Sequence, residues 1–260
     1  MDLNLNDRVV LITGGSDGLG AALVRQLRAE GALVAFCGRN EERIAALAAE
    51  VAGPDGEGVI GQRADVTVEA DLAAFVDAAV TKWGRIDGVV SNAGQSSAVA
   101  FDQQTEQTWD DDLNLKLRAQ IKLTRLALPH LRAAGGGSIL NILAISGKAP
   151  GANSSPTSVT RAAGMALSKA LSKELGPDNI RVNSILIGLV ESGQWTRRSA
   201  ATGVPVDEMY KTMGANANIP LGRVGRAEEF ADLAAFMLSD RSAYISGTAI
   251  NFDGGASTAS

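Results

Sequence analysis

The sequence predicts a doubly wound parallel α/β fold, one seven-stranded sheet with helices on both faces, as a single domain over 1–260. Three observations carry this. Short β-rich apolar runs alternate with longer stretches of helical period along the whole chain, a pattern that builds parallel sheets buried on both faces. A glycine-rich segment, TGGSDGLG at 13–20, falls between the first run and the first helical stretch. No linker-like stretch divides the 260 residues, a length that fits one large α/β domain.

The elements follow in order. RVVLIT (Arg8–Thr13) reads as the first strand, and LGAALVRQLRAEG as a helix closed by Gly31. ALVAFC is the second strand. NEERIAALAAEVAG is a helix with Asn40 as its cap. GVIGQRADV is the third strand, and TVEADLAAFVDAAVTKWG a helix capped by Thr67 with acids in its first turn. IDGVVSNAG supplies the fourth strand and its exit. A long helical stretch then runs from Thr105 to Ala134, and AAGGGS turns tightly into the strand SILNIL. A helix over Pro156–Leu175 precedes the strand RVNSILI. An irregular stretch covers Gly188–Val224, before the helix AEEFADLAAFMLS and a last strand, TAINF.

Composition narrows the function classes. Hydrophobic residues make up 45% of the chain, enough for a substantial core. The net charge of −5 disfavours a nucleic-acid surface, which needs a clustered basic patch. The single cysteine, Cys37 in LVAFCGR, reads as a packed core thiol, and no intrachain disulfide is possible. The start lacks the basic-then-apolar order of a signal peptide. No run of about 18 apolar residues is present to span a membrane, so a cytoplasmic protein is expected. His130, the only histidine, sits near a helix end in LPHLRAAGGG, and neither a Ser-His-Asp triad nor a metal site finds support.

TGGSDGLG has the makings of a phosphate cradle. Gly14, Gly18 and Gly20 permit a tight turn, close backbone approach and close helix packing. The helix that follows offers free N–H groups and a positive dipole to a pyrophosphate, with Ser16, Asp17 and Leu19 on the same turn. The ribose reader belongs about 20 residues on, at the end of the second strand. No acid ends that strand. Arg39 stands there instead and suits a 2′-phosphate. Asp17 argues the other way. The balance favours NADP(H) over NAD(H).

With these motifs the chain resembles the short-chain dehydrogenase/reductase family over nearly its whole length, which implies a Rossmann-type fold. TGGSDGLG matches T-G-x-x-x-G-x-G, and Asp65 with Val66 in ADV matches the adenine-facing segment. SNAG matches N-N-A-G, placing Asn92, Ala93 and Gly94 at the cofactor with Ser91 for the first Asn. Asn114 in LNLKL falls on the family's catalytic-site asparagine. The family's Ser, Tyr and Lys fall on Ala144, Thr157 and Arg161. IGLVES stands for P-G-x-x-x-T, placing Ile187, Gly188 and Ser192 at the nicotinamide. The pattern is similar to a divergent subgroup of β-ketoacyl-carrier-protein reductases with imperfect tetrads. No shift of register restores Tyr-x-x-x-Lys, because Tyr210 and Tyr244 are the only tyrosines.

The resemblance implies hydride transfer to or from a carbonyl or alcohol of a small molecule, and a homotetramer paired through long helices. The substitutions alter the expected chemistry. A threonine hydroxyl is a poor acid beside a phenol, and Arg161 keeps a charge that binds ribose hydroxyls but does not titrate. On this reading no phenol or lysine is placed to supply the proton. Lys148 and Tyr210 are substitute donors, with surface or lid packing as their alternative roles. Three functions stay open: an NADP(H)-dependent oxidoreductase with unconventional acid chemistry, a non-catalytic cofactor-binding structural or sensor protein, and a non-redox enzyme reusing the crevice. The first is favoured. The lid over 188–224 carries Trp195, Met209, Tyr210 and Met213, which suits a partly apolar substrate.

Overall fold

Apolar five- and six-residue runs form the first strands, β1 (Val9–Thr13) and β2 (Leu33–Gly38), on either side of helix α1 (Gly18–Ala29). The computed structural model describes residues 1–53 and 56–259, with side chains at 194, 196 and 197 left aside. Helix α2 (Glu41–Val51), β3 (Val59–Arg63), α3 (Glu69–Trp83) and β4 (Gly88–Ser91) complete the first half. The second half holds α4 (Glu106–Asp112), α5 (Ala119–Ala133), β5 (Gly137–Ala144), α6 (Thr157–Glu174), β6 (Ile180–Ile187), α7 (Gly193–Thr202), α8 (Val206–Asn216), α9 (Ala227–Leu238) and β7 (Ala249–Phe252). All pairings are parallel, in the order β3-β2-β1-β4-β5-β6-β7.

That order reverses between β1 and β4. The carboxyl ends of these two strands flank the crevice where open α/β sheets bind ligands. Two apolar layers cover the sheet. Leu23, Leu27, Ile44 and Phe230 pack one face beneath α1, α2 and α9. Phe75, Leu123, Leu131 and Val182 pack the other beneath α3, α5 and α6. Cys37 is fully buried, and burial pushes its thiol up to about 12, as a core packing residue requires.

Asn40 caps α2 as expected, its Oδ1 accepting from Arg43 N at 2.8 Å. Three expectations need correction. Thr67 does not cap α3. Asp65 Oδ1 takes its hydroxyl at 2.7 Å and its N–H at 2.9 Å, so the helix begins two residues later. The long stretch from Thr105 is not one helix, because a widened π-type turn at Leu113–Arg118 separates α4 from α5. Such turns mark functional sites more often than chance. The stretch over 188–224 is also not irregular, since it holds α7 and α8. α7 (GQWTRRSAAT) carries no apolar stripe, so its period leaves little trace in the sequence.

No helix among the described residues is long and apolar enough to cross a membrane, and no group of metal-ligating side chains is found there.

Candidate active site

The turn after β1 is set by space around the backbone. Gly14 and Gly18 have φ of 65° and 52°, the left-handed region that favours glycine. A Cβ added at Gly14 would lie 2.9 Å from Ala93 Cα, and one at Gly20 would fall on the Gly14 carbonyl oxygen. Asn92 clamps this turn to the end of β4: its Nδ2 donates to the carbonyls of Thr13 and Gly14, both at 3.0 Å. Thr13 Oγ1 accepts from the N–H groups of Asn92 and Ala93 at 3.1 and 3.2 Å. At the start of α1, Asp17 occupies the cap position without a side-chain cap bond, so its carboxylate leaves the first N–H groups of the helix to another acceptor.

At the end of β2 the charges sort themselves. Arg39 is exposed and has no ion pair among the described residues. Asp17, which weighed against a 2′-phosphate, is paired with Arg43 Nη1 at 2.9 Å. Sequence reasoning missed Arg43. The only signal was a cation in the first turn of α2, one turn past the strand end. A Cβ added at Gly38 would stand 2.5 Å from Ser16 Oγ, so the phosphate turn and the β2 end meet closely. Asp65 is half-buried, and its bonds to Thr67 hold its carboxyl below the ordinary range. Val66 beside it is buried.

The other end of the crevice opens on a cavity of about 360 Å³ lined by Ala144, Ile145, Ile187, Gly188, Leu189 and Ile219 among others. Its walls are mostly apolar. Ser192 and Gly18 face each other, since a Cβ on Gly18 would lie 3.4 Å from Ser192 Cβ. The Ser192 hydroxyl is buried without a protein partner, while its N–H donates to Tyr210 Oη at 3.3 Å. Arg161 lies against Gly94, and its Nη1 donates to the Ile142 carbonyl at 2.9 Å. Its Nε is sealed from solvent without a protein partner, although the residue as a whole is partly exposed. Burial lowers its pKa to about 10, which still leaves it charged at neutral pH.

One turn before Arg161, Thr157 corrects the expectation that no lysine is placed near the reacting position. Lys116 Nζ donates to Thr157 Oγ1 at 2.9 Å. Ser97 N–H donates to the same oxygen at 2.9 Å. Lys116 is also paired with Asp112, and both side chains are sealed, at 1% and 0% exposure. Asp112 Oδ2 accepts from Thr160 Oγ1 at 2.6 Å. Burial depresses the Lys116 pKa and nearby Arg161 adds to this, while Asp112 opposes it. A small polar cavity of about 10 Å³ lies beside Lys116, Arg161, Ser91 and Gln120. Ser91 Oγ and Gln120 Nε2 have no protein partner. Lys116 was invisible to the motif because it comes from the π-type turn, 41 residues before Thr157.

The remaining candidates are elsewhere. Asn114 shares that turn, but its Oδ1 accepts from Arg118 at 2.7 Å in an exposed pair. Lys148 is held by the Ala249 carbonyl at 3.0 Å and Asn251 Oδ1 at 2.9 Å, so it does not swing inward as a donor. His130 occupies the last turn of α5, as expected.

Known proteins share this architecture. A family model described as Enoyl-(Acyl carrier protein) reductase matches residues 14–257. The 3-oxoacyl-[acyl-carrier-protein] reductase of Thermotoga maritima is 30% identical over 97% of this chain and 99% of its own. The NADPH-bound structure of a Pseudomonas aeruginosa short chain oxidoreductase, described as containing an atypical catalytic center, is 34% identical. It covers 98% of this chain and 100% of that one, with a TM-score of 0.91. L-sorbose reductase from Gluconobacter frateurii, solved with NADPH and L-sorbose, is 29% identical over the full length of both chains, with a TM-score of 0.94.

Proposed function

The chain belongs to the short-chain dehydrogenase/reductase family, and from that premise we propose that it is an NADP(H)-dependent oxidoreductase acting on a carbonyl or alcohol of a small, partly apolar molecule. The residues present suit a dinucleotide. Gly14 and Gly20 sit where a Cβ would collide, α1 has N–H groups that its cap residue leaves open, and Ser192 Oγ and Arg161 Nε are buried donors lacking protein partners. When bound, the cofactor supplies hydride chemistry at its nicotinamide. The chain's own part is to hold and orient. Gly14, Ser16, Asp17, Gly18, Leu19 and Gly20 cradle the pyrophosphate. Asp65 and Val66 bound the adenine, and Asn92, Ala93, Gly94 and Arg161 take the nicotinamide ribose. Ile187, Gly188 and Ser192 hold the nicotinamide, and the apolar walls near Ala144 exclude water.

One observation carries the choice of NADP(H): Arg43 engages Asp17 while Arg39 keeps its charge uncompensated at the end of β2. A charge-assisted contact from Arg39 to a 2′-phosphate contributes about 1.5–3 kcal/mol. Fluorescence titration is expected to show NADPH binding roughly 10-fold or more tighter than NADH. Arg39→Ala should erase that preference and leave NADH binding unchanged. Equal affinities in the unmodified protein would refute it.

We also expect a cytoplasmic homotetramer formed by a single-domain chain. Exposed Phe101, Val159 and Tyr244, at 77%, 48% and 105%, support association. Sedimentation as a monomer at micromolar concentration would count against it. A non-catalytic NADP(H)-binding protein is the second reading, favoured by the loss of the family's Ser, Tyr and Lys at Ala144, Thr157 and Arg161.

A further inference from the structure

We propose that the proton for carbonyl reduction leaves Lys116 Nζ and reaches the substrate oxygen through the Thr157 hydroxyl. Thr157 is then the catalytic group, and Lys116 is the positioning residue that acts through it. This rests on the oxidoreductase reading above.

The geometry of one hydroxyl is the core of the argument. A threonine oxygen has two lone pairs and one proton. Thr157 Oγ1 receives donors from Ser97 N and Lys116 Nζ, each at 2.9 Å. Both lone pairs are therefore engaged, and the hydroxyl must point its own proton elsewhere. Asp112 Oδ1 is the acceptor at hand, but at 3.5 Å it is at the outer limit of a hydrogen bond. A substrate oxygen entering the crevice competes well for that proton. The placement fits this, because Ser97 lies on the segment leaving Asn92–Gly94, and Arg161, one turn along α6, touches Gly94.

A lone threonine is too weak an acid for this work, but a relayed proton removes that objection. The carbonyl carbon gains a hydride from the reduced cofactor, its π electron pair moves to oxygen, and that oxygen takes the Thr157 proton. In the same motion Thr157 Oγ1 takes a proton from Lys116, so no threonine alkoxide forms. Lys116 becomes a neutral amine and regains a proton from water by way of the polar cavity it shares with Ser91 and Gln120. In sum, carbonyl, NADPH and a proton give alcohol and NADP⁺. The charged groups facing Lys116 are Asp112 from α4 and Arg161 from α6, with the hydroxyl of Thr157 beside them. Thr160 reaches only Asp112 Oδ2, at 2.6 Å. Burial and Arg161 favour the neutral amine and Asp112 the cation, which leaves Lys116 depressed yet protonated when the reaction starts. Packing alone does not account for the pair, because a buried ion pair rarely stabilises more than apolar side chains of equal volume.

The test has a binding arm, a titration arm and a rate arm. NADPH fluorescence titration shows whether each variant keeps the cofactor. NMR of isotope-labelled lysine side chains in cofactor-free protein reads the Lys116 pKa directly. Single-turnover NADPH oxidation with ketones, keto-sugars and β-ketoacyl thioesters gives rates from neutral to alkaline pH. Lys116 is expected to titrate below the other lysines, and the reduction rate to fall as pH rises through that value. Thr157→Val and Lys116→Arg should each lose roughly 10²–10⁴-fold in rate while binding NADPH. Arginine keeps the charge but gives up no proton. Thr157→Ser should restore the rate. The double variant Asp112→Asn with Lys116→Met removes both charges together, and its folded fraction should also be slow. Full activity of Lys116→Arg with an unchanged pH profile, or an ordinary Lys116 pKa, would overturn the relay and leave the oxidoreductase reading standing. No NADPH binding, or no turnover of any carbonyl by the unmodified protein, would overturn both.

Discussion

The two ends of the crevice obey different rules. At the dinucleotide end, over 13–20 with 38–43 and 92–94, contacts are made by backbone, and the residue types follow from the space left around it. At the reacting end, over 112–116, 144 and 157–161, side chains do the work, and Asp112, Lys116, Thr157 and Thr160 form one buried polar network drawn from two helices. The contrast explains why one end retains its motif and the other departs from it. A backbone cradle admits few residues at each glycine. A side-chain network is satisfied by several combinations, provided every buried charge keeps its partner.

The sharpest way to break this contrast is Asp112→Ala. It leaves Lys116 sealed without a counter-charge, and removing one partner of a buried pair costs about 3–5 kcal/mol. Chemical denaturation should show that loss, with NADPH affinity little changed in the folded fraction. A stable Asp112→Ala protein would mean the network is not what holds α4 to α6.

Next in size is Gly20→Ala, where the new methyl group falls on the Gly14 carbonyl oxygen. Overpacking of this kind costs about 1–3 kcal/mol. Here the loss should show chiefly as NADPH binding weakened at least about 10-fold, because the turn must shift to relieve it. If affinity survives, the cradle is more pliable than its packing implies.

The smallest effect tests the junction of charge and backbone. Arg43→Ala frees the Asp17 carboxylate from an exposed pair, and such pairs contribute up to about 1 kcal/mol. NADPH should bind about threefold more weakly, with NADH nearly unaffected. Equal weakening of both cofactors would assign Arg43 to shaping the turn rather than to setting charge near Arg39.

Elements whose cause is local were legible along the chain. Strand–helix alternation predicted the parallel sheet, and the glycine spacing predicted the turn after β1. Asn40 announced its helix because a cap acts within three residues. Thr67 misled because Asp65, two residues before it, competes for the same hydroxyl. α7 left no stripe to read, since it buries almost nothing apolar. The spacing of Ala144, Thr157 and Arg161 was equally plain, but it described only what that helix lacks.

By itself the sequence determined the fold class, the phosphate turn and the absence of a tyrosine–lysine pair on α6, because each is written in neighbouring residues or in a fixed period. Only the tertiary structure decided that Arg43 would engage Asp17 and that Lys116 would reach Thr157. The members of these pairs lie 26 and 41 positions apart. Their meeting depends on how α2 sits over the β1 turn and how the π-type turn sets its residues against α6. Distances of that kind follow from packing, and no short-range pattern encodes them.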